Sequence, residues 1–204
     1  MPALFLKKLL DGDNADVLNK NAKCEGKKMI VRLAERDLKT RFGVFREILY
    51  YDGQSESIAL VMGNVEAREN VFCRIHSSCV SAHVFNSIEC ECREEMETAQ
   101  ALIKREGKGV IIYLDQEGKG NGHLALMESI QYKKAGFSQG EAYRKAGFET
   151  DARSFRPAAE VLADLKVKSV VLLTNNAGKA DDLRNWSIIV SETKEIKMPF
   201  KEHG

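Results

Sequence analysis

The sequence predicts a mixed α/β fold, with a β-rich first half followed by an α/β half. Three observations point there. Short apolar runs separated by turn signals fill residues 29–75. From Glu94 onward, apolar residues at helical spacing alternate with short, continuous apolar runs of the kind that make buried strands. The chain has 204 residues, 44% hydrophobic, enough for one sizeable core.

The elements follow in order. Residues 1–28 are polar, contain Asp11-Gly12-Asp13-Asn14, and read as a peripheral extension ahead of a main domain spanning 29–204. Met29–Leu33 and Gly43–Tyr51 read as strands, with Asp52-Gly53 as a hairpin-type turn. Ser57–Met62 and Val71–Ile75 are further apolar strands, and this early run suggests a barrel or curved sheet. Glu94–Arg105 carries Met96, Ala99, Leu102 and Ile103 on one helical face and stops at Gly107-Lys108-Gly109. Val110–Leu114 is a buried strand. Leu124–Ala135 and Gln139–Ala146 are helices stopped by Gly136 and Gly147. Pro157–Leu165 is a helix leading into the strand Ser169–Leu173. A loop, Asn175 to Lys179, enters a short helix, and Ser187–Val190 is the last strand.

Composition excludes several classes. The net charge is +1, so no global field draws nucleic acid or a membrane surface, and an anionic ligand needs a local cluster. No segment approaches the ~20 apolar residues that span a bilayer. Lys7 and Lys8 interrupt the apolar start, and no small-residue cleavage site follows, so no leader is expected. Five cysteines, an odd count without dense spacing, suit the reducing cytoplasm.

Chemistry concentrates in three places. Cys79, Cys90 and Cys92 form a C-x10-C-x-C set. Three thiolates without an obvious fourth ligand suit a catalytic zinc with an open position, whose water has its pKa lowered to about 7. The same spacing also suits three reduced, buried cysteines, because C-x-C alone is not diagnostic. The loop Asp115-Gln116-Glu117-Gly118-Lys119-Gly120-Asn121-Gly122 joins a buried strand to a helix, where backbone amides can approach an anion. Thr174-Asn175-Asn176-Ala177-Gly178-Lys179 also follows a strand and offers a hydroxyl, amides and an ammonium, though it does not match a P-loop.

Five separated motifs then fall in register with a known family. Arg74-Ile75-His76-Ser77-x-Cys79, Cys90-x-Cys92, Gln116-Glu117-Gly118, Asp151-x-Arg153-x-Phe155 and Leu172-Leu173-Thr174-Asn175-Asn176 resemble GTP cyclohydrolase II over roughly residues 40–190. The resemblance implies that family's fold and a cytoplasmic homodimer. It also implies an enzyme that opens the imidazole ring of GTP, releasing formate and pyrophosphate as riboflavin synthesis begins. On it, Cys79, Cys90 and Cys92 hold Zn²⁺, with Mg²⁺ accompanying the nucleotide. Asp151 is the general acid/base. Arg153 attacks the α-phosphorus or stabilises the departing pyrophosphate. Arg74, His76, Ser77, Glu117, Gly118, Lys119, Thr174 and Lys179 bind the substrate. The partner is thus a small nucleotide or nucleobase, with neither nucleic acid nor membrane.

Several positions depart from the family pattern. Ser78 replaces a Glu, Ser81-Ala82-His83 replaces Thr-Gly-Asp, Glu89 an Arg, Glu95 a Gln, and Asp115 and Lys119 two Arg. Ile130 stands for a Tyr, Gln139 for a Thr and Ala152 for a Glu. Glu89 and Asp115 each move local charge two units toward negative, while Lys119 keeps charge without the bidentate fork. Three readings stay open on these residues. The first is a GTP cyclohydrolase II. The second is a divergent homologue that opens another nucleobase or nucleotide, such as a uracil derivative, or stops at a formamidopyrimidine. The third is a non-catalytic, zinc-stabilised nucleotide-binding protein.

Overall fold

The computed structural model describes residues 30–176 and 178–197. The expected N-terminal extension and the expected strand start at Met29 lie outside the described residues. Seven strands form one mixed sheet in the order β1-β2-β3-β5-β4-β6-β7. They are β1 (Val31–Thr40), β2 (Gly43–Tyr51), β3 (Glu56–Met62), β4 (Val71–Ser77), β5 (Gly109–Leu114), β6 (Ser169–Leu173) and β7 (Ile189–Lys194). The described helices are α1 (Val80–His83), α2 (Cys92–Glu106), α3 (His123–Lys134), α4 (Gln139–Lys145), α5 (Arg156–Asp164) and α6 (Gly178–Asn185).

The first four strands do not close into a barrel. β1, β2 and β3 form an antiparallel meander. β3 then pairs antiparallel with β5, and β5 pairs parallel with β4, so a strand of the second half inserts into the first. The reason lies in β5 itself. Val110, Ile111 and Ile112 are fully buried, and a strand apolar on both faces needs a neighbour at each edge and cover on each side. Burying each such side chain contributes about 1.5–3 kcal/mol. β4 carries the parallel register onward, with Arg74 opposite Ile111 of β5 and Cys73 opposite Leu172 of β6.

Each face of the sheet has its own core. On one, Val71, Cys73 and Ile75 of β4 pack with Ala158, Val161 and Leu162 of α5 and Leu183 of α6. On the other, Ala99 and Ile103 of α2 meet Phe45, Ile111 and Leu173. Alternation along β4 therefore sends Arg74 and His76 toward the α2 side. β1 runs seven residues past the expected end at Leu33, through the charged stretch Ala34–Thr40, because backbone pairing with β2 carries it where hydropathy gives no signal. α4 begins with a capping box, Ser138 and Glu141 each satisfying the other's backbone N–H.

Candidate active site

The parallel strands β4 and β5 end level with each other at Ser77 and Leu114, β6 ends at Leu173 near the level of Arg74, and the loops that follow them carry the chemistry. Ligands in open α/β sheets sit at this carboxyl edge. Cys79 directly follows β4 at the start of α1, and Cys92 opens α2. The Sγ atoms of Cys79, Cys90 and Cys92 all lie within 4.8 Å of one another, with Cys79 and Cys90 3.7 Å apart. Two thiolates on one tetrahedral zinc at about 2.3 Å each would stand about 3.8 Å apart, so the cluster fits. Its protonation fits as well. The Cys90 thiol, hydrogen-bonded by Cys92, is lowered to about 6, whereas burial raises Cys79, and Cys90 beside it raises Cys92. Without a cation the set holds one thiolate readily and resists the others; a divalent ion relieves that repulsion.

A cavity of about 530 Å³ opens beside the sulfurs. Ser77, Glu117, Gly118, Lys119 and Arg153 line it together with the cysteines. The turn Glu117–Gly120 passes through the left-handed region at Gly118 (φ 61°) and Lys119 (φ 55°). The Glu117 carboxylate accepts from Val80 N–H at 2.8 Å, which ties this turn to α1. Gln116 Nε2 donates to Ser154 O at 2.6 Å, while its Oε1 is buried without a hydrogen-bond partner. Ser77 Oγ is likewise unpartnered. Buried polar groups are nearly always satisfied, so these two atoms mark where a ligand would bind.

Gly120 holds the turn against the next loop. A Cβ there would lie 2.8 Å from the Ala152 carbonyl carbon, and φ is +83°. Ala152 N–H donates to Lys119 O at 2.9 Å in the same contact. Gly120→Ala is expected to destabilise the fold by about 1–3 kcal/mol, read as a lower denaturation midpoint, because backbone must move on both sides.

That loop carries Asp151 and Arg153. Arg153 Nε and Nη2 donate to the two carboxylate oxygens at 2.8 and 2.6 Å, a bidentate pair. Burial pushes the Asp151 carboxyl up, but the Arg153 guanidinium outweighs it and holds the carboxyl below its usual value. Arg153 lines the cavity; Asp151, paired with it and more exposed, is not among the lining residues.

Arg74, His76, Thr174 and Lys179 are also outside that wall, buried behind the cysteines and the sheet edge. Arg74 donates to Leu173 O at 3.1 Å and pairs with Glu95, leaving Nε unpartnered. His76 is neutral: burial, then Arg74, push it down to about 2. Its Nε2 lies 2.9 Å from His83 Nε2, and Nδ1 has no partner. Thr174 Oγ1 donates to Asn176 O at 3.2 Å and shapes its own loop. Ser78 Oγ donates to Asp115 Oδ1 at 3.1 Å.

Lys179 Nζ donates to Ile75 O at 3.0 Å, and burial, then Arg74, lower it to about 7. The unfolded chain binds more protons at this residue between about pH 7 and the ordinary lysine value near 10.4. Stability is therefore expected to rise with pH across that window. In Lys179→Met that rise disappears, as denaturant titrations at pH 7 and 9 would read.

Sequence reasoning singled out Ile130 but missed its neighbours on the wall. Leu126, Met127, Lys133 and Lys134 of α3 line the cavity beside it, as does Tyr143 of α4. The signal was present: 126, 127, 130, 133 and 134 make one helical stripe, and apart from Ile130 it was read in sequence only as part of a helix.

The sequence matches the family described as GTP cyclohydrolase II over residues 31–195. It is 40% identical over 178 residues to the "Riboflavin biosynthesis protein RibBA" of Bacillus cereus (strain ATCC 14579), covering 86% of this chain and 45% of that protein. It is 39% identical over the same span to the protein of that name from Bacillus mycoides (strain KBAB4), with the same coverages. The chain thus spans less than half the length of these relatives. Among solved structures, RibBX, a two domain 3,4-dihydroxy-2-butanone 4-phosphate synthase from A. baumannii, aligns with TM-score 0.43 and 14% identity, over 91% of this chain and 45% of that one. Among the described residues no helix is long and apolar enough to cross a membrane. With more than half of its length matched by one family, and with relatives at 40% identity, the chain belongs to the GTP cyclohydrolase II family.

Proposed function

We propose that the protein hydrolytically opens the imidazole ring of GTP, releasing formate and pyrophosphate at the start of riboflavin synthesis. The observation that supports it best is the meeting of three thiols, Arg153 and an open cavity at one sheet edge. Cys79, Cys90 and Cys92 would hold Zn²⁺, which supplies Lewis acidity and water activation near neutral pH. Guanine C8 lies between two nitrogens and is electrophilic. One water opens the ring and leaves a formamide; a second releases formate. Asp151, kept ionised by Arg153, takes protons from the attacking water and returns them to the ring nitrogens. An arginine side chain stays protonated and has no lone pair to give. Arg153 therefore holds the α-phosphoryl and departing pyrophosphate oxygens while a third water attacks the α-phosphorus and the bond to the bridging oxygen breaks; phosphate competes with Asp151 for the same fork. The buried, unpartnered atoms of Ser77 and Gln116 are offered to the base or ribose. A homodimer belongs to this reading, with exposed Val84, Phe85 and Ile88 beside the cysteine loop as surface for it to cover.

A second reading, a substrate less charged than GTP, is favoured by one observation. Glu95 neutralises Arg74 and Asp151 neutralises Arg153, so both arginines of the site are already paired. The test is turnover of GTP, GMP, guanosine and uracil nucleotides by zinc-loaded protein, with products identified by mass spectrometry. Formate and a diaminopyrimidinone from GTP, at a KM within the usual range of about 1 μM to 1 mM, is the expected result. Intact GTP alongside an opened uracil derivative or guanosine overturns it in favour of the second reading. A panel left wholly intact leaves a binding protein.

A further inference from the structure

The face that α3 turns to the cavity is not a core face. Its buried residues are Ala125 and Ser129. Leu126, Met127 and Ile130 instead line the open cavity, and Met127 remains 59% exposed. Apolar side chains on a concave, solvent-filled wall suit the flat face of a ligand. One helical turn further, the same stripe changes chemistry. Lys133 and Lys134 follow Ile130 at i+3 and i+4 and line the same cavity. From Leu126 to Lys134 the stripe rises about 12 Å along the helix axis. Among the described ion pairs none involves either lysine. The wall thus runs from thiols, past an apolar strip, to two cations with no carboxylate partner among the described residues.

We propose that Lys133 and Lys134 form an anion subsite for the polyphosphate tail of a purine nucleotide whose base lies against Leu126, Met127 and Ile130. The proposal rests on the nucleotide half of the function proposed above and not on its ring chemistry. It also gives the cavity a balance of charge. Glu89 and Glu117 stand on the cavity wall, and their carboxylates offer a phosphate nothing. The lysine pair supplies compensating cations to the same wall from α3. Lysine is a compact, flexible point charge, suited to a tail that moves more than to one fixed bidentate geometry.

Lysines at a helix C-terminus also complement the macrodipole, a purely structural role. The experiment separates the two. Zinc-loaded protein is titrated calorimetrically with α,β-methylene GTP and with guanosine, for the wild type, K133E/K134E and K133R/K134R. The double glutamate variant is expected to bind the triphosphate analogue about tenfold or more weakly, since two exposed attractions become repulsions. Guanosine affinity, zinc content and melting temperature should stay unchanged. The arginine pair should restore triphosphate binding, and added salt should erase most of the wild-type advantage. Equal weakening of both ligands, unchanged analogue affinity, or a wild type that binds the analogue no tighter than guanosine each overturns the subsite. If the affinities split as expected while GTP is never opened, the subsite stands and the ring-opening reaction fails.

Discussion

Asp151→Ala is expected to lower kcat for ring opening by about 10²–10⁴-fold, the range that a positioned proton-transfer group contributes. Zinc content should not change, because the carboxylate is paired with Arg153 and is not one of the three clustered ligand groups. Asp151→Asn distinguishes the proton from the geometry. It keeps one acceptor for the guanidinium but cannot take a proton, so it should fail at the ring as badly as alanine does. Arg153→Ala should act differently. Its loss removes donors from the phosphate and also frees Asp151 of the partner that keeps its carboxyl below the usual value. KM for GTP should rise and pyrophosphate release should fall, while any ring opening that persists should show its acid limb shifted to higher pH. Formate and pyrophosphate measured separately read the two variants apart. Equal loss of both products in both variants would mean that the pair acts only as a loop clasp.

Cys90→Ser is expected to abolish tight zinc binding, with an affinity loss beyond the 10–100-fold typical of losing a residue that merely supports a ligand. Cys90 is the thiol most ready to ionise, so serine removes the one donor already poised as an anion. Metal analysis after gel filtration should find wild-type protein holding about one zinc per chain, the stoichiometry of a single three-thiolate site, and the variant with little. Full retention would sink the assignment and point to His76 or His83 as replacement donors, since their facing nitrogens lie 2.9 Å apart in the same region. Far-ultraviolet circular dichroism should change little, because α2 packs through Ala99 and Ile103, well away from its first turn.

What sequence could disclose followed the local character of each signal. Gly43–Tyr51 and Ser169–Leu173 match their strands end to end, because hydropathy and flanking breakers set both limits. α2 begins at Cys92 rather than Glu94, since the first turn of a helix is held by its end geometry and not by apolar spacing. α1, four residues long, offers too few positions for any period. Strand order was hidden altogether: nothing in Val110–Leu114 announces that its neighbours are β3 and β4. At the site, the cysteines and Arg153 were legible through motif spacing. The capture of Arg74 by Glu95 was not, because 21 positions separate them and only the fold sets β4 beside α2. Lys133 and Lys134 drew no notice in sequence, because only the fold sets the end of α3 on the cavity wall.

The sheet order carries a consequence for the sequence of events by which the molecule comes into being. The three thiols arise from a single short stretch, so closing that loop asks little of the chain. The rest of the site arrives from far away: Gln116 meets Ser154 across 38 positions, and Lys179 meets Ile75 across 104. Pairings of such range form late. Zinc bound there as proposed would therefore be captured on an unfinished chain and would act as an early clamp on the β4–α2 corner. Apo protein should refold more slowly than protein refolded with zinc present, even where the two finish equally stable.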